Sequence, residues 1–323
     1  MSSTDVQDDP WGRRWCHAPR HRAPYHPAGL GGSRLIPRAM REPVVEGIIS
    51  MLLAALLFAS GASIARFASV TVNTFALVFW TNLFCFLIMG VWCLLRPMGG
   101  VATRRLGLHF LRSIFTYGAL LTYFYAIATI SFANAVVLQS LGPVFVPILA
   151  LVVLRKLSDR HVWIGVVVSF AGVALIIPPD RIGMSLGDIA ALLAAMGGAA
   201  AALVIWSLAA TEPPQRQMFY FSLFALMFAV IPLPWAWQVP SAIELFQIGL
   251  IAAFIIIGQY FYARAFTLSP GDKVNTWSYM SIVFAAIIGR IVWNEPILVT
   301  TCAGAALIVF GARLASRKLA ERT

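Results

Sequence analysis

From Gly47 onward the chain is a succession of apolar segments separated by short polar or Pro/Gly-rich breaks. Most of these segments are about 20 residues long, and a helix of that length crosses a hydrocarbon core of roughly 30 Å. The pattern predicts ten membrane-spanning helices, at 47–66, 74–95, 107–128, 134–154, 161–178, 186–208, 217–237, 246–267, 274–293 and 297–315. The expected fold class is therefore an all-α membrane protein with ten transmembrane helices.

The first 44 residues follow a different pattern. They are rich in Arg, His, Pro and Gly and lack the apolar stretch of 7–15 residues that a signal peptide needs. We therefore expect residues 1–44 to form a disordered basic tail on the cytoplasmic side. A short cytoplasmic C-terminus is expected at residues 317–323.

Composition narrows the possible functions. Of the 323 residues, 60% are hydrophobic and only 11% are charged, whereas soluble proteins carry about 25% charged residues. This excludes a water-soluble enzyme, a nucleic-acid-binding module and a disordered protein. The four cysteines show no metal-ligand spacing, so neither a metal nor a cofactor is expected.

The net charge of +11 follows from topology. If the N-terminus is cytoplasmic, Lys and Arg outside the spans concentrate in the tail and the cytoplasmic loops, and only Arg66 and Arg181 lie on the opposite side. Such a bias is typical of loops that remain in the cytoplasm. Both termini are therefore predicted to be cytoplasmic, and no nucleic-acid partner is needed to explain the charge.

An internal repeat adds the next inference. Residues recur at a nearly constant spacing of 137–139 positions: Tyr123–Ala126 with Tyr260–Ala263, and Gly165 and Gly172 with Gly304 and Gly311. The spacing predicts two five-helix repeats, at 45–178 and 186–316. Because five is odd, the second repeat enters the membrane from the opposite side. Inverted repeats of this kind build secondary transporters, whose substrate binds between the repeats near the bilayer midplane.

The segment Leu111–Pro178 combines several specific features. An Arg opens the third helix, an aromatic run ends in Ala126, small residues stand at Ala133 and Ala135, and Pro143 lies in the fourth helix. This combination resembles the EamA branch of the drug/metabolite transporter superfamily. The resemblance implies ten helices in two inverted halves, and transport of small metabolites such as amino acids, organic acids, nucleoside-like compounds or drugs.

The chain departs from this family at two places. The family usually carries a Glu near the ends of the fourth and ninth helices. Glu295 matches the second, but Arg155 or Lys156 stands at the first, and the proline expected in the ninth helix is replaced around Ser281–Ile282. We interpret Glu295 as the partner of Arg290 in a structural ion pair. No buried carboxylate that would relay protons is predicted.

Apart from Arg66 and Arg313 at the ends of their spans, three arginines lie within predicted spans, where a charged side chain costs at least about 2.5–3.5 kcal/mol. Arg264 and Arg290 lie near helix ends, as interfacial anchors do. Arg112 lies deeper, roughly 7–8 Å into the third helix. Two interpretations of Arg112 stay open: an interfacial anchor, or a fixed positive charge that pairs with a substrate carboxylate or phosphate.

Neutral groups complete the candidate substrate site. Gln139 precedes Pro143 by one turn, and the missing proline N–H frees the Gln139 carbonyl. Two small-residue clusters, at Ala59–Ser63 and Gly197–Ala202, indicate close helix packing that is either static or part of a movement. The predicted substrate-binding residues are Arg112, Tyr123, Gln139, Trp277, Tyr279, Ser60 and Gly61.

Together these features predict a secondary transporter of a small organic metabolite, working by alternating access in a bacterial inner membrane. An anionic or zwitterionic substrate is preferred, because the buried charges are positive. A channel or a non-transporting sensor remains the alternative. An enzyme is not expected, because the histidines lie in the tail or at cytoplasmic helix ends. The expected partners are the lipid bilayer and a small-molecule substrate, and a homodimer is left open.

Overall fold

The described part of the chain is largely helical. A computed structural model describes residues 38–95, 102–154, 160–176, 184–209, 211–268 and 277–316. Within those ranges the helices are α1 (Arg38–Ala68), α2 (Thr74–Leu95), α3 (Leu106–Thr129), α4 (Phe132–Gln139), α5 (Gly142–Leu154), α6 (Arg160–Ile176), α7 (Leu186–Ala209), α8 (Pro214–Val230), α9 (Leu233–Ala236), α10 (Ala242–Leu268), α11 (Met280–Val292) and α12 (Val299–Ser316). Residues 1–37, 155–159 and 317–323, on which parts of the predictions rest, lie outside the described residues.

The all-α membrane fold is confirmed, and every predicted span is occupied by one helix or by a broken pair. Four described helices are long and apolar enough to cross a membrane: Val45–Ala68, Thr74–Leu95, Leu186–Ile205 and Ala242–Tyr262. Shorter apolar helices cover Val162–Leu175, Met280–Val292 and Val299–Gly311. The first helix starts earlier than expected, at Arg38, because its opening residues, Arg38–Glu42, are good helix formers.

Two predicted spans are interrupted. The fourth divides into α4 and α5 at Ser140 and Leu141, where Pro143 cannot donate a hydrogen bond to the Gln139 carbonyl. The last N–H before the break, that of Ser140, donates to the carbonyls of Val136 and Val137, at 3.0 and 3.1 Å. The seventh span divides into α8 and α9 around Pro232, for the same reason.

Two equivalent glycine–glycine contacts join the repeats where α6 packs against α12. A methyl group added to Gly172 would lie 2.6 Å from the carbonyl oxygen of Gly304, and one added to Gly311 would lie 2.5 Å from that of Gly165. Because Gly165 and Gly172 correspond to Gly304 and Gly311 in the repeat, the two contacts are related by a two-fold operation. The pair α6–α12 therefore lies on the pseudo-two-fold axis.

The other contacts between the repeats follow the same symmetry. Gly197 of α7 packs against Ala119 of α3, and Gly258 of α10 packs against the ring of Phe58 in α1; these are equivalent pairs. Equivalent helices also meet directly, α2 with α8 and α4 with α11. The close packing expected at the cluster Gly197–Ala202 is thus confirmed at Gly197, since small residues let backbones approach in a membrane.

Candidate substrate site

Three predicted site residues lie in or beside the hydrophobic core that joins the repeats. Gln139 is the half-buried last residue of α4, and its neighbours Leu138 and Leu141 belong to this core. Tyr279 is a buried member of the same core at the start of α11, and Tyr123 of α3 packs against it. Because α4 packs on α11, the break after Gln139 lies where the repeats meet. Discontinuous helices in this position expose backbone groups to a substrate.

Arg112 occupies a different place, between α3 and α8. Its side chain is almost fully buried, with 5% exposure. One guanidinium nitrogen, Nη1, donates a 2.6 Å hydrogen bond to the main-chain carbonyl of Gln217, and the guanidinium lies 5.5 Å from the ring centre of Phe221. Tyr123 lies eleven residues further along α3, or about 16 Å. Arg112 is therefore separate from the group around Gln139.

The remaining candidates are Gly61, Ser60 and Trp277, of which Gly61 lies at a contact between helices. A methyl group added to Gly61 would meet Phe254 of α10 at 3.4 Å, an ordinary van der Waals contact. Ser60 is half-buried beside it, and Trp277 is exposed. Gly61 thus lies at the contact between α1 and α10.

A polar network joins the start of α3 to the α7–α8 turn; we call it the α3–α8 seam. Its members are Thr103, Arg105, His109, Arg112, Glu212, Arg216 and Gln217. Thr103 and Arg216 donate to the two carboxylate oxygens of Glu212 at 2.6 and 2.7 Å, and Arg105 donates to the carbonyl of Ser207 at 3.1 Å. Burial raises the pKa of Glu212, but the hydrogen bonds from Thr103 and Arg216 outweigh it and hold that pKa below its ordinary value.

The opposite end of the bundle has the repeat-equivalent contact, between the α1–α2 turn and the segment before α10. The main-chain N–H of Asn73 donates to Gln238 at 2.8 Å, and the Gln238 amide donates to the carbonyl of Thr71 at 2.7 Å. The hydroxyl of Thr71 donates to Glu244. Each repeat therefore contacts the turn between the first two helices of the other.

A second cluster at this end centres on Glu295. Its carboxylate accepts a 2.6 Å hydrogen bond from Arg66 of α1 and main-chain hydrogen bonds from Phe132 and Ala133, at 2.8 and 3.3 Å, where α4 begins. Trp293 lies beneath the Arg66 guanidinium at 4.8 Å. We call these five residues the Glu295 cluster. The carboxylate binds the positive end of a helix dipole and a cation together.

The predicted pairing of Glu295 with Arg290 is therefore wrong. Arg290 donates instead to the side chain of Asn294, at 2.9 Å. Asn294 has a φ of 52°, in the left-handed region that Asn tolerates. The backbone turns at this residue, and the Glu295 carboxylate binds α1 and α4 while it lies beside Gly289 of α11.

Two halves of the chain match one known family. The EamA-like transporter family covers residues 45–177 and, a second time, residues 185–317. The chain is a member of the EamA-like transporter family. As such it is an integral membrane transporter of small metabolites and not an enzyme.

Named relatives agree with this assignment. The chain is 31% identical over 280 residues to the pseudopaline exporter CntI of Pseudomonas aeruginosa, covering 84% of this chain and 96% of the relative. It is 22% identical over 271 residues to the S-adenosylmethionine uptake transporter of Rickettsia prowazekii, covering 82% and 90%. One crystal structure superposes with a TM-score of 0.60 at 18% identity, over 86% of this chain and 98% of that one, which shows the fold.

One groove on the EamA-like bundle is not a metabolite site. It has a volume of about 460 Å³ between α2 and α10 and is lined by apolar side chains and one glycine: Phe84, Leu245, Phe246, Gly249, Leu250 and Ala253. A site for a polar metabolite needs a few convergent polar groups. The lining residues of this groove do not supply such groups.

The sequence analysis missed the burial of His109 and the role of Glu212. His109, Arg112 and Ser113 are all buried. Their spacing of three and four residues places them on one face of a helix. That spacing was visible in the sequence and predicts a polar stripe on α3.

Proposed function

We propose that this EamA-like protein carries a small organic metabolite by alternating access across a bacterial inner membrane, with both termini in the cytoplasm. We further propose that the metabolite is anionic or zwitterionic. The named relatives support a metabolite as cargo, since one exports pseudopaline and the other takes up S-adenosylmethionine. Because these two relatives transport in opposite directions, they do not indicate the direction of transport for this protein.

The preference for a negative group rests on Arg112. The described partners of its guanidinium, a main-chain carbonyl and an aromatic ring, are uncharged. Its Nε is buried without a hydrogen-bond partner among the described residues. An unpaired buried charge costs several kcal/mol. A substrate carboxylate or phosphate would offset that cost through charge-assisted hydrogen bonds.

Alternating access is supported by polar contacts between the repeats at both ends. The Glu295 cluster lies at the end where α1 stops and α4 starts, and the α3–α8 seam lies at the other end, separated from it by the length of α2. A carrier opens one end while the other stays closed. Hydrogen bonds to charged groups contribute about 1.5–3 kcal/mol each, and binding energy of that size can shift such an equilibrium.

A thermal-shift screen tests the substrate class. Purified protein is heated with a panel of anionic, zwitterionic, neutral and cationic metabolites, and the screen is repeated with Arg112→Gln and with Arg264→Gln as a control at an exposed arginine. A ligand at 100 times its Kd stabilises the wild type by about 2.7 kcal/mol. We expect anionic or zwitterionic ligands to stabilise the wild type and the control but not Arg112→Gln. Stabilisation by cationic or neutral compounds only, or equal stabilisation of Arg112→Gln, contradicts the charge preference.

Counterflow separates the carrier from its alternatives. Proteoliposomes loaded with an unlabelled ligand from the screen are diluted into trace labelled ligand. A carrier accumulates label transiently, and its flux saturates. Flux that rises linearly without accumulation would identify a channel, and ligand binding without flux would identify a sensor.

A further inference from the structure

His109 is a buried titratable side chain that substrate binding does not use. Its exposure is 0%, and neither ring nitrogen has a hydrogen-bond partner among the described residues. The imidazole lies against the ring of Tyr220 in α8, with ring centres 4.7 Å apart. His109 therefore lies on the contact between the first repeat and the second.

Burial disfavours an imidazolium at His109, and the charged groups around it act in both directions. Arg112 on the same helix and Arg216 on α8 are both positive, and Glu212 is the negative group nearby. Both oxygens of Glu212 are already engaged, by Thr103 and by Arg216. A protonated ring would thus add a positive charge beside Arg112 and Arg216, without a carboxylate oxygen free to pair with it.

Other helices that pack on α3 do not change this balance. α2, α4 and α7 contact α3, and among their described residues the charged one is Asp188, at the start of α7. The seam contacts the opposite end of α7, through Ser207. Because a buried, unpaired charge costs several kcal/mol, His109 is neutral while the seam is closed.

We propose that His109 is a proton-binding site that couples opening of the α3–α8 seam to pH. When α3 separates from α7 and α8, water reaches the ring, and a hydrated imidazole titrates near pH 6.5. A protonated His109 cannot be buried again beside the two arginines, so protons favour the open seam. One linked proton changes the ratio of open to closed protein by up to tenfold per pH unit. The inference rests on the proposed function in one respect, that the seam opens.

The test uses a thiol placed in the seam. Ser113 is fully buried on α3, one turn from His109, and Ser113→Cys is introduced after the native cysteines are replaced. The purified protein is labelled with N-ethylmaleimide between pH 8 and pH 6. Each rate is divided by that of the unfolded protein at the same pH, because the thiolate fraction itself depends on pH.

We expect the normalised labelling rate to rise several-fold as the pH falls from 8 to 6, and His109→Gln to abolish that rise. His109→Phe preserves the aromatic contact with Tyr220 and serves as a second variant if the glutamine variant does not fold. A rise that persists in both variants, or its absence from the wild type, overturns the proposal. The proposal is also overturned if Glu212→Gln abolishes the rise while both His109 variants keep it.

A second thiol distinguishes this proposal from alternating access. Ser63 is buried beside Trp293 in the Glu295 cluster, with a 3.3 Å hydrogen bond between them. Alternating access requires that a cysteine at position 63 is labelled more slowly at the pH values at which a cysteine at position 113 is labelled faster. If position 113 responds to pH through His109 while position 63 does not change, the proton site stands and alternating access fails.

Discussion

Replacing Glu295 by Gln removes the charge that joins α1, α4 and the segment after α11. The carboxylate accepts hydrogen bonds from Arg66 and from the main chain of Phe132 and Ala133. Glu295→Gln preserves the shape of the side chain and one acceptor oxygen. The change therefore isolates the contribution of the charge.

The expected magnitude follows from burial. The side chains of Arg66 and Glu295 are 22% and 14% exposed, between the exposed pairs that contribute about 0.2–1 kcal/mol and the buried pairs whose disruption costs about 3–5 kcal/mol. Glu295→Gln should therefore cost about 2–3 kcal/mol. At about 2–4 °C per kcal/mol, the melting temperature should fall by about 4–12 °C.

A double-mutant cycle in detergent measures the pair itself. Unfolding is followed for the wild type, Arg66→Gln, Glu295→Gln and the double variant, and we expect a coupling energy of about 1–2 kcal/mol. Glu46 and Arg264 provide the matched control, since their side chains are 58% and 45% exposed and 3.5 Å apart. That pair should couple by no more than about 0.5 kcal/mol. Equal coupling energies in the two cycles would refute the role given to the Glu295 cluster.

Two further variants test other parts of the bundle. Gly311→Ala should destabilise the protein by about 1–3 kcal/mol, because its methyl group would clash with the carbonyl of Gly165; Gly118→Ala, whose methyl group meets nothing within 4 Å, should be neutral or slightly stabilising in the same melting assay. Glu212 has a lowered pKa, so the stability it contributes is complete above its ordinary value of about 4.3 and is lost as the pH falls through the lowered one. Melting temperatures between pH 5 and pH 3 should therefore fall more steeply for the wild type than for Glu212→Gln, and parallel curves would contradict this.

The spans could be predicted because the length of an apolar run is a local property of the sequence. α2 begins and ends where its apolar run does, at Thr74 and Leu95. The break after Gln139 was partly visible too, because a proline always lacks the N–H that the helix needs. The spacing of the repeated glycines located the α6–α12 pair.

The polar contacts could not be predicted in the same way. Arg112 binds a main-chain carbonyl, that of Gln217, and every residue offers such a carbonyl. Glu295 binds Arg66, 229 positions away, because one left-handed residue, Asn294, turns the chain. Such contacts depend on backbone direction and on the distant helix that it meets. The resemblance to a family was enough to predict the fold, but it did not predict these hydrogen-bond partners.

The exchanged glycines of α6 and α12 also describe how the protein could have originated. Each repeat presents the same surface to the other, as in a homodimer whose interface is self-complementary. An unfused chain of five helices would pair with its own copy through this surface, inserted in the opposite direction. Fusion then freed the helix ends from having to be identical, and Arg155 or Lys156 now stands where the second repeat has Glu295. Near the pseudo-two-fold axis, each residue of one repeat packs against the equivalent region of the other. At α6 and α12 the two halves still carry the same glycines.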